Sequence, residues 1–220
     1  MATNSIYMSD SPLRQRIGLF GGTFDPIHLG HLLIAEHARE YLQLDQVRFL
    51  PAATAPHKQH QRATDAKQRW EMVQLAVGGN PFFYADDREL RRGGTSYTVD
   101  TLREIKGELP QAELFFLMGA DSLEELHTWR EPKRICEMAF VAVVARGGRE
   151  LPNMQLLKPY LPEEQHLQLE QHCVPMPQME ISSSDIRERI EAGKTVRYQL
   201  HPAVEAYINA RGLYREEKKT

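Results

Sequence analysis

The chain carries little that could hold it together by covalent bonds or by a membrane. Its 220 residues include only two cysteines, Cys136 and Cys173. Two are too few for a disulfide framework, and their separation lacks the paired spacing of a zinc knuckle, so both read as reduced thiols. No apolar run approaches the roughly 20 residues of a membrane span. The opening MATNSIYMSDSPLRQR offers no apolar core for a secretory leader. These absences predict a cytoplasmic protein without a membrane partner. An excess of one charge is missing too: 27 Lys and Arg stand against 30 Asp and Glu, for a formal charge of -3. That balance gives no broad attraction for nucleic acid, although one pocket can still be basic. Heptads, fixed-period repeats and low-complexity tracts are also absent.

What is present is enough apolar material for one substantial core, at 41% of the residues. Short β-like runs alternate with helical patterns. Arg16 to Phe20 reads as a strand ending at Gly21-Gly22, and LGHLLIAEHAREYL as a helix from Leu29 to Leu42. Strands are expected again at Val47 to Leu50, Phe82 to Ala85, Leu114 to Met118 and Ala139 to Ala145, with helices at Ala66 to Val77 and Val99 to Leu109. ISSSDIRERIEAG reads as a helix start and a glycine stop, and a final helix covers His201 to Ala210. The prolines of Gly147 to Pro177 interrupt any long element there. The order predicts an α/β fold, a Rossmann-like open parallel sheet flanked by helices. It divides into an N-terminal extension (1–15), a single domain (16–215) and a polar tail (216–220).

The stretch GLFGGTFDPIHLGH joins the first strand to the first helix. Gly21 and Gly22 can take positive backbone dihedrals and admit a close approach. His28 and His31 are three apart at a helix start, so their rings can share one neighbourhood and donate to phosphate oxygens. The helix start adds amides and a favourable dipole for an anion. A metal pair and incidental packing are the competing readings of the histidines, and Asp25 reads locally as a turn cap. The second cluster, ISSSDIR, puts the hydroxyls of Ser182, Ser183 and Ser184 and the Arg187 guanidinium within one helix turn. Such a group can hold a polyphosphate, and it can equally be ordinary capping.

GGTFDPIHLGH resembles the HxGH signature of the nucleotidyltransferase superfamily, filled here by His28, Gly30 and His31, and ISSSDIR resembles that superfamily's ATP-phosphate motif. Neither a GxGxxG loop nor the GK[ST] ending of a Walker loop is present. GGTSYTVDTL and FFLMGADSLEELHTW further resemble the bacterial nicotinate-nucleotide adenylyltransferases. That resemblance implies the nucleotidyltransferase fold and transfer of AMP from ATP to nicotinate mononucleotide, with pyrophosphate leaving. It implies His28, His31 and Arg187 as catalytic groups. The implied ATP site is Gly21, Gly22, Thr23, Phe24, His28, Gly30, His31, Gly119, Asp121, Ile181, Ser183, Ser184 and Arg187. Lys58, Thr95, Ser96, Tyr97 and Trp129 are implied for nicotinate mononucleotide, with Trp129 stacking on the pyridine ring. Read alone, Trp129 and Tyr97 are packing residues and Lys58 a solvated cation. Mg²⁺ is expected mainly on the ATP phosphates, without a protein metal cage. His127 and Thr128 stand where the family more often has a proline ahead of the tryptophan. A phosphopantetheine adenylyltransferase and a nonenzymatic nucleotide sensor on the same scaffold are the alternatives, and self-association is left open.

Overall fold

The structure, a computed structural model, describes residues 14–55, 63–145 and 152–215. Most of the expected N-terminal extension, Lys58 and the polar tail lie outside the described residues.

Six parallel strands form one sheet in the order β3-β2-β1-β4-β5-β6. They are β1 (Arg16–Gly22), β2 (Gln46–Pro51), β3 (Phe83–Ala85), β4 (Glu113–Gly119), β5 (Phe140–Val144) and β6 (Cys173–Val174). The central strands read RIGLFGG, ELFFLMG and FVAVV, nearly unbroken apolar runs. Such runs suit a sheet covered on both faces. One face carries α1 (Leu29–Tyr41), α2 (Ala66–Val77), α7 (Ser183–Glu191) and α8 (Pro202–Arg211), which bury Ala35, Ala38, Met72, Val73, Ile186 and Val204 against Phe20 and Phe49. The other carries α4 (Thr98–Glu108) and α6 (Pro132–Met138), which bury Val99, Leu102, Ile105 and Ile135 against Ile17, Leu19 and Phe116. Two short helices, α3 (Arg88–Arg92) and α5 (Ala120–Glu124), lie in the connections.

Local chemistry explains the element ends. The Asp65 carboxylate accepts from the Lys67 and Gln68 amides at the start of α2, and the Ser182 hydroxyl accepts from Asp185 N at the start of α7. Gly193 and Gly212 take the left-handed backbone that stops α7 and α8.

Three expectations need correction. The glycine pair does not end β1 in a turn: the strand runs through Gly22, with Gly21 opposite Leu50 and Gly22 opposite Pro51 of β2. The left-handed residue is Phe24, at φ 50°. Gly22 is small for another reason, because a Cβ there would lie 3.0 Å from the Phe24 ring. The proline-broken region also holds more structure than its pattern suggests. Two 3₁₀ segments, Met154–Tyr160 and Glu163–His172, lead into β6, whose two residues pair with Val143 and Val144. Finally, α3 lies between the expected strand at Phe82 to Ala85 and the expected helix at Val99 to Leu109, where no element was expected. Among the described residues, no helix is long and apolar enough to cross a membrane.

Candidate active site

The sheet order reverses between β1 and β4, both central and both parallel. In open α/β sheets ligands settle at the carboxyl ends of the strands beside such a reversal. The two motifs meet at that edge. His28 sits at the N-cap of α1 in extended backbone, and its ring stacks on His31 with centroids 3.7 Å apart. The expected shared neighbourhood of the two histidines is therefore present. Gly30 allows the arrangement, since a Cβ there would meet the His28 ring at 3.0 Å.

The rings differ in environment. His28 is buried, which lowers its pKa from 6.5 to about 4, and its Nδ1 has no hydrogen-bond partner among the described residues. It is a neutral imidazole at pH 7. The His28 backbone N–H donates to His31 Nδ1 at 3.2 Å. A ring nitrogen that accepts must be unprotonated, so in neutral His31 the proton sits on Nε2, which becomes a donor.

The second motif docks onto this loop. Ser183 Oγ donates to the Pro26 carbonyl at 2.9 Å, across 157 positions, and Arg187 Nη1 donates to the Asp25 carbonyl at 2.7 Å, across 162. Arg187 Nη2 also reaches Ser184 Oγ at 3.3 Å. Ile181 presents its carbonyl 3.7 Å from the Cβ position of Gly30. His28, Gly30, His31, Ile181, Ser183, Ser184 and Arg187 thus gather in one place. Gly119 closes β4 at the same edge of the sheet and caps α5, whose first turn carries Asp121.

Two expected ligand contacts are changed by burial and pairing. Phe24 is 2% exposed, its ring packed against Phe20, Phe49 and His31, so only its backbone is left for a nucleotide. The first amide of α1, at Leu29, is not open to an anion: it donates to the Gln199 carbonyl at 2.9 Å.

Residues that local patterns did not single out hold the loop in place. Arg69 of α2, 2% exposed, donates from Nη1 to the Thr23 carbonyl at 2.8 Å, from Nη2 to Ala53 O at 3.3 Å and from Nε to Thr64 O at 3.0 Å. Burial lowers its pKa, and the Asp25 charge opposes that shift. A sequence signal existed, since Arg69, Met72, Val73 and Ala76 share the buried stripe of α2. The Asp25 carboxylate accepts from Tyr214 Oη at 2.7 Å and from Thr64 N at 3.1 Å, so it does more than cap a turn.

The expected acceptor residues lie along the neighbouring loops. Thr95 bridges Thr54 beyond the end of β2. Ser96 is buried, and its Oγ accepts from Ala53 N at 2.9 Å. Behind it stands the buried Glu89 carboxyl, pushed up in pKa by burial and drawn partly back by hydrogen bonds from Thr101 and Ser96. A cavity of about 90 Å³ is lined by Ser96, Tyr97, Thr98, Thr128, Trp129, Arg130 and Ile135. At roughly 30 Å³ per water it has the room of about three waters, the scale of one flat ring. Trp129 stands edge-on to Phe116, with centroids 5.9 Å apart, and its buried Nε1–H has no partner among the described residues. His127 and Thr128 shape the short 3₁₀ turn that delivers it: His127 Nδ1 lies 2.9 Å from Glu124 O, and Thr128 Oγ1 donates to Glu125 O at 2.7 Å. A larger cavity, about 790 Å³, lies against Arg16, Glu113 and Phe140 at the opposite ends of the strands and contains none of the expected site residues. No group of three or more His, Cys, Asp or Glu side chains among the described residues could hold a metal ion.

The geometry therefore offers a cluster of imidazole, hydroxyl and guanidinium groups where the two motifs meet and, on the loops that carry Ser96 and Trp129, a small aromatic cavity. Residues 19–189 match the cytidylyltransferase-like family. A probable nicotinate-nucleotide adenylyltransferase of Thermomicrobium roseum is 47% identical over 91% of this chain and 92% of its own. Another, from Thermus thermophilus, is 48% identical over 91% of this chain and all of its own. Among solved structures, the nicotinic acid mononucleotide adenylyltransferase of Plasmodium falciparum complexed with NaAD superposes with a TM-score of 0.74 at 18% identity. It covers 91% of this chain and 98% of that one, and at that identity it speaks for the fold.

Proposed function

The chain belongs to the cytidylyltransferase-like family and, within it, to the nicotinate-nucleotide adenylyltransferases; from that membership we propose that it transfers AMP from ATP to nicotinate mononucleotide. The products are nicotinate adenine dinucleotide and pyrophosphate. The observation that carries the reading is the docking of α7 on the first motif, Ser183 on Pro26 O and Arg187 on Asp25 O, beside the stacked histidines.

In the reaction a phosphate oxygen of the mononucleotide attacks the α-phosphorus of ATP in line. The bond from that phosphorus to the bridging oxygen breaks, and pyrophosphate leaves with the electron pair. No covalent bond to the protein is needed. His31 donates Nε2–H toward the reacting phosphates, where charge builds in the transition state. The His28 imidazole, neutral in the free protein and stacked on His31, meets the reacting phosphates from the same side. Arg187 and the α7 hydroxyls hold the departing phosphates, and the aromatic cavity seats the pyridine ring. Holding both reactants there makes the encounter effectively unimolecular. Mg²⁺ would be held mainly by the ATP phosphates, where it would neutralise phosphate charge. The reading places the protein in the cytoplasm, with its thiols reduced.

Product analysis tests the reading. ATP and Mg²⁺ are supplied with nicotinate mononucleotide, nicotinamide mononucleotide or phosphopantetheine. The highest catalytic efficiency is expected with nicotinate mononucleotide. Preferred formation of dephospho-coenzyme A, or no turnover with any acceptor, overturns it.

A further inference from the structure

The loop between β1 and α1 carries an acidic side chain close to the groups assigned to phosphate. Asp25 is 8% exposed, and its backbone carbonyl is the one that accepts from Arg187 Nη1. A carboxylate left unengaged there would repel phosphate and compete with it for the guanidinium. We infer that Tyr214, beyond α8, is a positioning residue for adenylyl transfer: its O–H holds the Asp25 carboxylate, which keeps Arg187 on the Asp25 carbonyl with part of its fork open to phosphate. This rests on the proposed reaction, in which Arg187 holds the departing phosphates.

Both carboxylate oxygens are engaged. Tyr214 Oη donates to Oδ1 at 2.7 Å, and Thr64 N donates to Oδ2 at 3.1 Å. Two donors from separate parts of the chain fix the carboxylate, and with it the residue whose carbonyl Arg187 uses. The flanking carbonyls are held as well, Thr23 O by Arg69 and Pro26 O by Ser183. The phenol stays a donor at neutral pH, because its burial and then the Asp25 charge push its pKa above the ordinary value. Arg187 has five N–H donors in a fixed fork, and its bonds to Asp25 O and Ser184 Oγ leave others for phosphate oxygens.

The backbone is shaped to present that hydroxyl. Tyr207 Oη donates to Glu71 Oε2 at 2.5 Å, which ties α8 to α2, and α8 stops at Gly212, left-handed at φ 62°. Tyr214 is left-handed too, at φ 61°. A bulky residue takes that backbone at a cost, so its surroundings must hold it there. They do so by packing Leu213 and Tyr214 against the core on this face of the sheet and by the bond to Asp25. Phe24, just before Asp25, is left-handed as well, at φ 50°. Strained backbone thus lies at both ends of one hydrogen bond, as is common where a site fixes its geometry.

The test measures single-turnover AMP transfer from ATP to nicotinate mononucleotide at saturating concentrations, with steady-state KM values and a melting curve, for the full chain as wild type, Tyr214→Phe, Arg187→Ala and the double variant. Tyr214→Phe keeps the ring and should slow transfer about tenfold, the scale of one hydrogen bond to a charged group. The KM for nicotinate mononucleotide should stay within about twofold. In Arg187→Ala the same substitution should cost about twofold or less, because the group through which it acts is gone. Asp25→Asn turns an N–H₂ group toward one of the two donors that Asp25 accepts from. It should slow transfer to a similar degree, and with Arg187→Ala it carries the test if Tyr214→Phe does not fold. Transfer at the wild-type rate by folded Tyr214→Phe overturns the inference, as does a loss that persists in full in Arg187→Ala; both leave the proposed reaction intact. A wild-type chain that transfers no AMP overturns the reaction itself.

Discussion

Arg187 Nη1 donates to the carbonyl oxygen of Asp25 at 2.7 Å, joining residues 162 positions apart. The bond holds the guanidinium beside the loop that carries His28 and His31, and it holds that loop against α7. A lysine would keep the charge but lose the planar fork that serves the carbonyl, Ser184 and a phosphate together. Arg187→Lys should therefore slow adenylyl transfer roughly tenfold or more, and Arg187→Ala about 10²-fold. Steady-state kinetics over a range of ATP concentrations, with a melting curve for each variant, checks both. A fully active Arg187→Lys removes the case for bidentate recognition.

Burial of His28 makes stability depend on pH in a definite direction. Its pKa falls from 6.5 in the unfolded chain to about 4 in the folded one. Between those values the unfolded state binds the extra proton, so stability declines as pH drops from about 6.5 to about 4. The change is about 3 kcal/mol at roughly 1.36 kcal/mol per unit. His172, lowered by its own burial, acts with the same sign. Subtracting the denaturation curves of His28→Asn from wild type at each pH isolates His28. A difference that stays constant from pH 7 to pH 4 contradicts the burial.

Arg69 is the buried cation on which the loops at this end of β1 and β2 converge. Its removal leaves the Thr23, Ala53 and Thr64 carbonyls short of their donors. Arg69→Met should cost on the order of 2 to 4 kcal/mol of stability and raise the KM for ATP. Urea unfolding and ATP titration measure the two effects. Wild-type values in both would mean that the three hydrogen bonds contribute little.

These residues also mark what the chain disclosed before its structure was known. The parallel sheet was legible because RIGLFGG, ELFFLMG and FVAVV are continuous apolar runs. The histidine pair was legible because i and i+3 at a helix start depend only on local geometry. β6 was not, because two residues carry no periodicity and the strand exists only through its pairing with β5. Tyr214 on Asp25, across 189 positions, depends on tertiary packing that no local pattern encodes. The glycine pair misled for a related reason. Gly22 answers to the ring of Phe24, while the left-handed backbone was passed to Phe24 itself.

Trp129 walls the small cavity and should act on the acceptor alone. Trp129→Ala should weaken nicotinate mononucleotide binding by about 1 kcal/mol, the scale of one aromatic pair, with ATP affinity nearly unchanged. Calorimetric titration of each ligand separates the two. A selective loss of ATP affinity contradicts the assignment.

His31 carries the greatest weight in the proposed reaction, since its Nε2–H meets charge that exists only as AMP moves. The direct measurement is rapid-quench AMP transfer from ATP to nicotinate mononucleotide at saturating concentrations, by wild type and by His31→Ala, with a fold check and an ATP titration of both. Wild type should form nicotinate adenine dinucleotide. His31→Ala should do so about 10²-fold more slowly or worse, while binding ATP almost as tightly. Transfer at the wild-type rate by folded His31→Ala would contradict the assignment of the stacked histidines to the reacting phosphates.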